Sequence, residues 1–169
     1  MCKKCLLLVA CMLLASFVAN GQNAYVWETT GLAMQLPFAP EEALITEKDD
    51  VLNIYSSGLD IEFTLLPKDT AQQHFLYLHS GVIEAVAGAL ALVVVSDTDT
   101  FPLIREGLWV KAKDTALFTD SLVLGVLSHP TRNILVVVTI DCYDAPMVKA
   151  VELVRSLFFL SSAATKPEE

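Results

Sequence analysis

Positive charge is scarce in this chain. Eleven lysines and arginines stand against twenty aspartates and glutamates, for a net charge of −9 at pH 7. Such a balance repels phosphate backbones and anionic lipid, which excludes nucleic acid as a partner class. Cysteine is scarce where a fold could use it: Cys2, Cys5 and Cys11 crowd the first eleven residues, and only Cys142 lies beyond them. A domain without the first residues therefore has one thiol and no intrachain disulfide. A lone thiol at the end of an apolar strand reads as a small buried hydrophobe rather than a nucleophile. The sequence also lacks a glycine-rich phosphate loop and a Gly-x-Ser-x-Gly elbow.

The N-terminus follows the three-part plan of a secretory signal. Lys3 and Lys4 give a positive start, and Cys5 to Val18 is an uncharged apolar run of fourteen residues. That run is shorter than the ~20 residues a membrane-spanning helix needs. Ala19 and Gly21 place small residues at the −3 and −1 positions of a cleavage site before Gln22. Leu8-Val9-Ala10-Cys11 has the look of a lipobox, but Met12 to Val18 continue the apolar run, so lipidation through Cys11 is disfavoured. The expected organisation is a signal peptide over 1–21, one α+β domain over 22–160 and a disordered polar tail over 161–169. The expected address is the periplasm or the exterior, with no stable membrane span after cleavage. Without residues 1–21 the chain has 148 residues, nine basic and twenty acidic, a balance of −11.

The pattern that follows alternates between periods of 2 and 3.6. Leu32, Met34 and Leu36 predict a strand that Pro37 ends. Leu44 to Glu47 and Val51 to Tyr55 predict a hairpin around Lys48-Asp49-Asp50. Leu59, Ile61, Phe63 and Leu65 alternate with Asp60, Glu62 and Thr64, a strand with one dry and one wet face. From Asp69 to Leu90 the period becomes helical: Asp69 and Gln72 are spaced as a capping box, and Phe75, Leu78, Val82 and Val86 form a stripe. Glu84 and the β-branched run Val93-Val94-Val95 argue against a membrane span and for helix followed by strand. Leu108 to Lys111, Leu117 to Leu127 and Ile134 to Asp141 predict an antiparallel meander, the last strand central because both its faces are apolar. A closing helix is expected over about 145–158, capped by Asp144, with Pro146 in its first turn and Met147, Val151, Val154 and Phe158 facing the core. The fold class is α+β: an antiparallel sheet of about seven or eight strands with two main helices packed on it.

Three features carry a resemblance: Leu36-Pro37 ending an early strand, Gly107-Leu108-Trp109-Val110, and Ser128-His129-Pro130 leading into Ile134–Ile140. From Leu32 to Phe158 the chain resembles the PsbP-like family, which includes DcrB-like exported bacterial envelope proteins. The resemblance implies a non-enzymatic accessory or interaction module. It transfers no functional residue, because none of those motif positions is catalytic or ligand-binding in the family.

The polar residues that could carry chemistry have packing or turn explanations. His74 and His79 lie about 140° apart around a helix and read as surface or boundary residues rather than metal ligands. Asp97 and Asp99 open like a calcium loop but lack its glycine and distal glutamate. Ser128 and His129 are adjacent on a strand end and point to opposite faces, against a hydrolase pair. Trp27, Phe101 and Trp109 are the candidates for an interaction surface, weighed against core packing for each. No catalytic residue, metal ligand or cofactor is assigned. The expected function is an exported binding or accessory module of the bacterial envelope, its partner an unknown envelope protein. The alternative is a carrier of a small or apolar ligand, suggested by the hydrophobic composition. An enzyme without a recognisable signature is third.

Overall fold

The computed structural model describes residues 23–67, 75–114 and 121–160. The signal segment, the Asp69–Gln72 capping box, the first part of the Leu117–Leu127 run and the tail lie outside them.

Among the described residues, eleven strands and two helices follow in the order β1 (Asn23–Trp27), β2 (Leu32–Leu36), β3 (Leu44–Lys48), β4 (Val51–Ser56), β5 (Leu59–Pro67), α1 (Phe75–Ala89), β6 (Leu92–Val94), β7 (Asp99–Thr100), β8 (Gly107–Asp114), β9 (Ser121–Ser128), β10 (Ile134–Cys142), α2 (Met147–Ser156) and β11 (Phe158–Phe159). The large sheet runs β3-β4-β5-β10-β9-β8-β6, with the short β7 also on β8, and every pairing in it is antiparallel. A small sheet has the order β1-β2-β11. This is the expected α+β class.

Local chemistry explains the strands the sequence made plain. In β5, Leu59, Ile61, Phe63 and Leu65 are buried while Asp60, Glu62 and Thr64 are not. The β3–β4 hairpin turns through Asp49, whose φ of 52° is a left-handed conformation that aspartate tolerates. β10 sits between β5 and β9, as its two apolar faces require. Val136, Val138 and Ile140 join a core with the small sheet and α2 on one side. Leu135 and Val137 join a second core under α1 on the other.

Both helices differ from expectation in detail. On α1 the buried line is His79, Ile83 and Ala87, with Val82 and Val86 at its flanks. Asp144 does not cap α2: Pro146 is the N-cap, in extended conformation and without a side-chain cap bond. The buried line of α2 is Ala150, Leu153 and Val154, continued by Leu157 just past its end, and it is rotated from the expected stripe. Phe158 is not helical. Leu157 turns extended at φ −64° and ψ 131°, which frees Phe158 and Phe159 to pair with Ala33 and Leu32. Among the described residues no helix is long and apolar enough to cross a membrane.

Candidate functional site

Three loops and one short strand meet at one end of the molecule. They are the β1–β2 turn, the segment before β8, the β9–β10 loop and β11. His129, the first residue after β9, ties most of them together. Its Nε2 lies 3.0 Å from the Thr30 carbonyl oxygen, which can only accept. Its Nδ1 receives the backbone N–H groups of Thr131 at 3.2 Å and Arg132 at 3.0 Å. These partners fix one tautomer, with Nε2 protonated and Nδ1 an acceptor. The ring also packs against Phe159, centroids 4.8 Å apart at 57°. Burial pushes the imidazole pKa below its usual value; the Thr30 bond opposes that shift and the Arg132 charge adds to it.

The neighbouring contacts are of the same kind. Arg132 Nη1 donates to the Thr29 carbonyl at 2.6 Å, the Ser128 N–H to the Glu106 carbonyl at 2.8 Å, and the Leu160 N–H to the Gly31 carbonyl at 2.8 Å. Thr30 is itself buried, its hydroxyl receiving the Leu32 N–H. The result is a ridge, His129 to Asn133, held by bonds to backbone. Two open grooves flank it. One, of about 610 Å³, runs past Leu103, Arg105, Glu106 and Arg132. The other, of about 590 Å³, runs past Glu28, Thr29, Gly31 and Leu160, with Phe159 shared by both.

The aromatic candidates lie beneath this end and not on it. Trp27, Phe101 and Trp109 are 0, 2 and 3 % exposed, so none presents a ring to a partner. Trp27 donates its indole N–H to Glu47 at 2.8 Å and packs against Phe63, directly below the β1–β2 turn. The Glu47 carboxylate also receives the Thr29 hydroxyl. Trp109 donates to the Thr100 carbonyl at 3.2 Å. Phe101 fills a slot left by two glycines: a Cβ on Gly107 or Gly125 would come within 2.5 or 2.8 Å of its ring. All three rings belong to the hydrophobic core of the domain.

The remaining candidates separate cleanly. Ser128 and His129 do point to opposite faces. Ser128 instead meets His79 on α1, Oγ to Nε2 at 3.1 Å, with both residues buried. His79, expected at a surface or boundary, is fully enclosed, because a hydrogen-bonded imidazole can replace an apolar side chain in a stripe. The pair is sealed from solvent and staples α1 to β9. Asp99 accepts from the Thr100 N–H on the exposed short strand β7, a local contact of its side chain with the adjacent backbone. Cys142 is buried, and burial pushes its thiol up to about 11. His74 lies outside the described residues. Among the described residues no group of three His, Cys, Asp or Glu is arranged to hold a metal ion.

The sheet-and-two-helix architecture defines a class of small α+β domains, and within it the topology is the PsbP-like fold. A mutant of Mog1 superposes with a TM-score of 0.59 at 9 % identity, over 83 % of this chain and 97 % of that one. The solution structure of cyanobacterial PsbP (CyanoP) from Synechocystis gives 0.55 at 8 % identity, over 81 % and 91 %. The Saccharomyces cerevisiae Ran-binding protein Mog1p gives 0.54 at 8 % identity, over 82 % and 96 %. No family model matches the sequence, and no curated protein matches it either.

Proposed function

We propose that the protein is an exported, non-enzymatic binding or accessory module of the bacterial envelope that acts through protein–protein contact at the His129 end. The observation that carries this reading is the convergence of three loops and β11 on one ridge, fixed through backbone bonds and flanked by open grooves. A preorganised surface of that kind loses little entropy on docking, and side chains on loops held by a rigid scaffold are where recognition concentrates. Leu103 stands 58 % exposed beside Arg105, and Arg132 and Phe159 complete the rim. Arginine and aromatic side chains are the types enriched at protein interfaces. The yeast protein that shares the fold is named for binding Ran, a protein partner. Fold likeness alone is a weak guide to function, so the site carries the argument. Export rests on Lys3-Lys4, the apolar run and the Ala19/Gly21 cleavage pattern.

The test is a photo-cross-linking amino acid placed at Leu103 or Pro130 in the native envelope, with Tyr143 as a distant control. One discrete protein adduct at the first two positions, lost on Arg132→Glu, is the expected result. Adducts confined to Tyr143 overturn the assignment of the face. A stoichiometric small-molecule adduct in native mass spectrometry, with no protein adduct, replaces it with the carrier reading. Turnover of a substrate by the purified protein ends the non-enzymatic one.

A further inference from the structure

Cleavage after Gly21 leaves one residue, Gln22, between the new N-terminus and β1, which starts at Asn23. β1 is an edge strand of the small sheet and is joined there to β2. Its ladder runs from the Asn23–Leu36 pair to the Trp27–Leu32 pair. Pro37 follows Leu36 and ends β2, so the first pair of the ladder is also its limit. The strand holds more than its own backbone. Trp27 is fully buried with its indole N–H bonded to Glu47 at 2.8 Å, and Tyr25 is half-buried against the same core. Chain ends are where proteolysis concentrates. A peptidase that removed residue 22 would next meet Asn23, and each further step would take a ladder pair from the strand that seats Trp27.

Glutamine at a chain end brings its own chemistry. A free α-amino group has an ordinary pKa of about 8, so part of it is neutral and nucleophilic near pH 7. The side-chain amide carbon of an N-terminal glutamine lies within reach of its own α-nitrogen. Closing a five-membered ring makes the attack intramolecular, which removes the entropic cost of bringing two molecules together.

We propose that Gln22 is a modification site, cyclised to pyroglutamate after export, and that the ring seals β1 against trimming from its end. The inference rests on the export reading above. In the step, the α-amino nitrogen of Gln22 bonds to its own Cδ and the bond from Cδ to the side-chain nitrogen breaks. That nitrogen takes up the proton the amine gives up and leaves as ammonia. No oxidant, reductant or second substrate takes part. The product is a lactam, so the ammonium that cleavage creates is removed and a peptidase that needs a free amine has nothing to hold.

The test is to express the full chain in a bacterial host, isolate the exported form at harvest, weigh it intact and degrade it stepwise from the N-terminus. The expected mass is that of the chain from Gln22 onward less one ammonia, about 17 Da, with no stepwise signal. Pyroglutamyl peptidase, which removes only the cyclised residue, should open the chain to a sequence beginning Asn23-Ala24-Tyr25. Gln22→Ser should be cleaved at the same place, show no ammonia loss and read directly. With a broad aminopeptidase the mass of that variant should fall while the wild type's holds. A chain that starts at Gln22 with its full mass, or gains the ring only during storage, overturns the modification. A Gln22→Ser chain as resistant to trimming as the wild type overturns the seal. A chain that keeps residues 1–21, or starts elsewhere, overturns the export reading and takes the modification with it, so the two failures are told apart by the mass.

Discussion

His129 donates from Nε2 to the carbonyl of Thr30, 99 residues earlier in the chain, across 3.0 Å. The same ring accepts two backbone N–H groups at Nδ1 and lies on Phe159. One neutral imidazole thus joins the β1–β2 turn, its own loop and the last strand. A proton on Nδ1 would point at two donors and dissolve that arrangement.

The pH dependence follows in sign. Burial holds the folded pKa of His129 below the usual value of about 6.5. The neutral ring therefore contributes stability that is intact above the unfolded pKa and is lost as pH falls through the folded one. The effect is modest because the ring is only partly enclosed. Thermal unfolding measured between pH 7.5 and pH 5 should show the midpoint falling with acid, and His129→Asn should flatten that fall. An equal slope in the variant would assign the dependence to other groups.

Gly125 and Phe101 give the sharpest packing test. A Cβ on Gly125 would lie 2.8 Å from Phe101 Cζ, 2.9 Å from Val138 Cγ1 and 3.3 Å from Trp109 Cβ. Gly125→Ala should cost about 1–3 kcal/mol through overpacking, and Phe101→Ala about 3–5 kcal/mol through a cavity. Because both changes act on one slot, Gly125→Ala with Phe101→Ala should cost less than the two single changes added together. Urea unfolding of the four proteins measures each term; strict additivity would mean that the ring and the glycine do not share the slot.

Much of the sheet was legible because its information is local. The alternation Leu59 to Leu65 needs only one buried face, and the two apolar faces of Ile134 to Ile140 needed a central place between strands. What escaped was set by distant partners. Phe158 keeps helical spacing with Val151 and Val154, yet it leaves the helix because Ala33 offers it a strand to pair with. β1 carries no strong alternation of its own and exists through its register with β2. The histidines escaped for the same reason. Nothing near His79 in sequence announces Ser128, and nothing near His129 announces Thr30 or Phe159. Polar groups placed by tertiary pairing leave no period to read.

Cys142 should be chemically quiet until the fold opens. With a pKa of about 11, roughly one thiol in a thousand is ionised at pH 8, and the side chain is 5 % exposed. For the chain from Gln22 onward, in which Cys142 is the one thiol, iodoacetamide should leave the native mass unchanged over hours and add one adduct promptly in denaturant. Rapid native labelling would show that the β10 end opens far more readily than its packing implies.

The Ser128–His79 pair tests whether α1 is stapled or merely greasy on its inner face. Both residues are buried and meet at 3.1 Å, so removing either partner takes a hydrogen bond from the other in a low-dielectric setting. Ser128→Ala should cost about 0.5–1.5 kcal/mol, the usual net worth of a hydrogen bond. His79→Leu should carry a comparable loss at the Ser128 hydroxyl. In the double variant the shared bond is lost once and apolar atoms face each other across the α1–β9 contact, so its loss should be clearly smaller than the sum of the two single losses. Chemical denaturation of the four proteins gives the coupling directly. A coupling near zero would mean that hydrophobic contacts alone, Ile83 and Ala87 against Leu124 and Val126, hold the helix to the sheet.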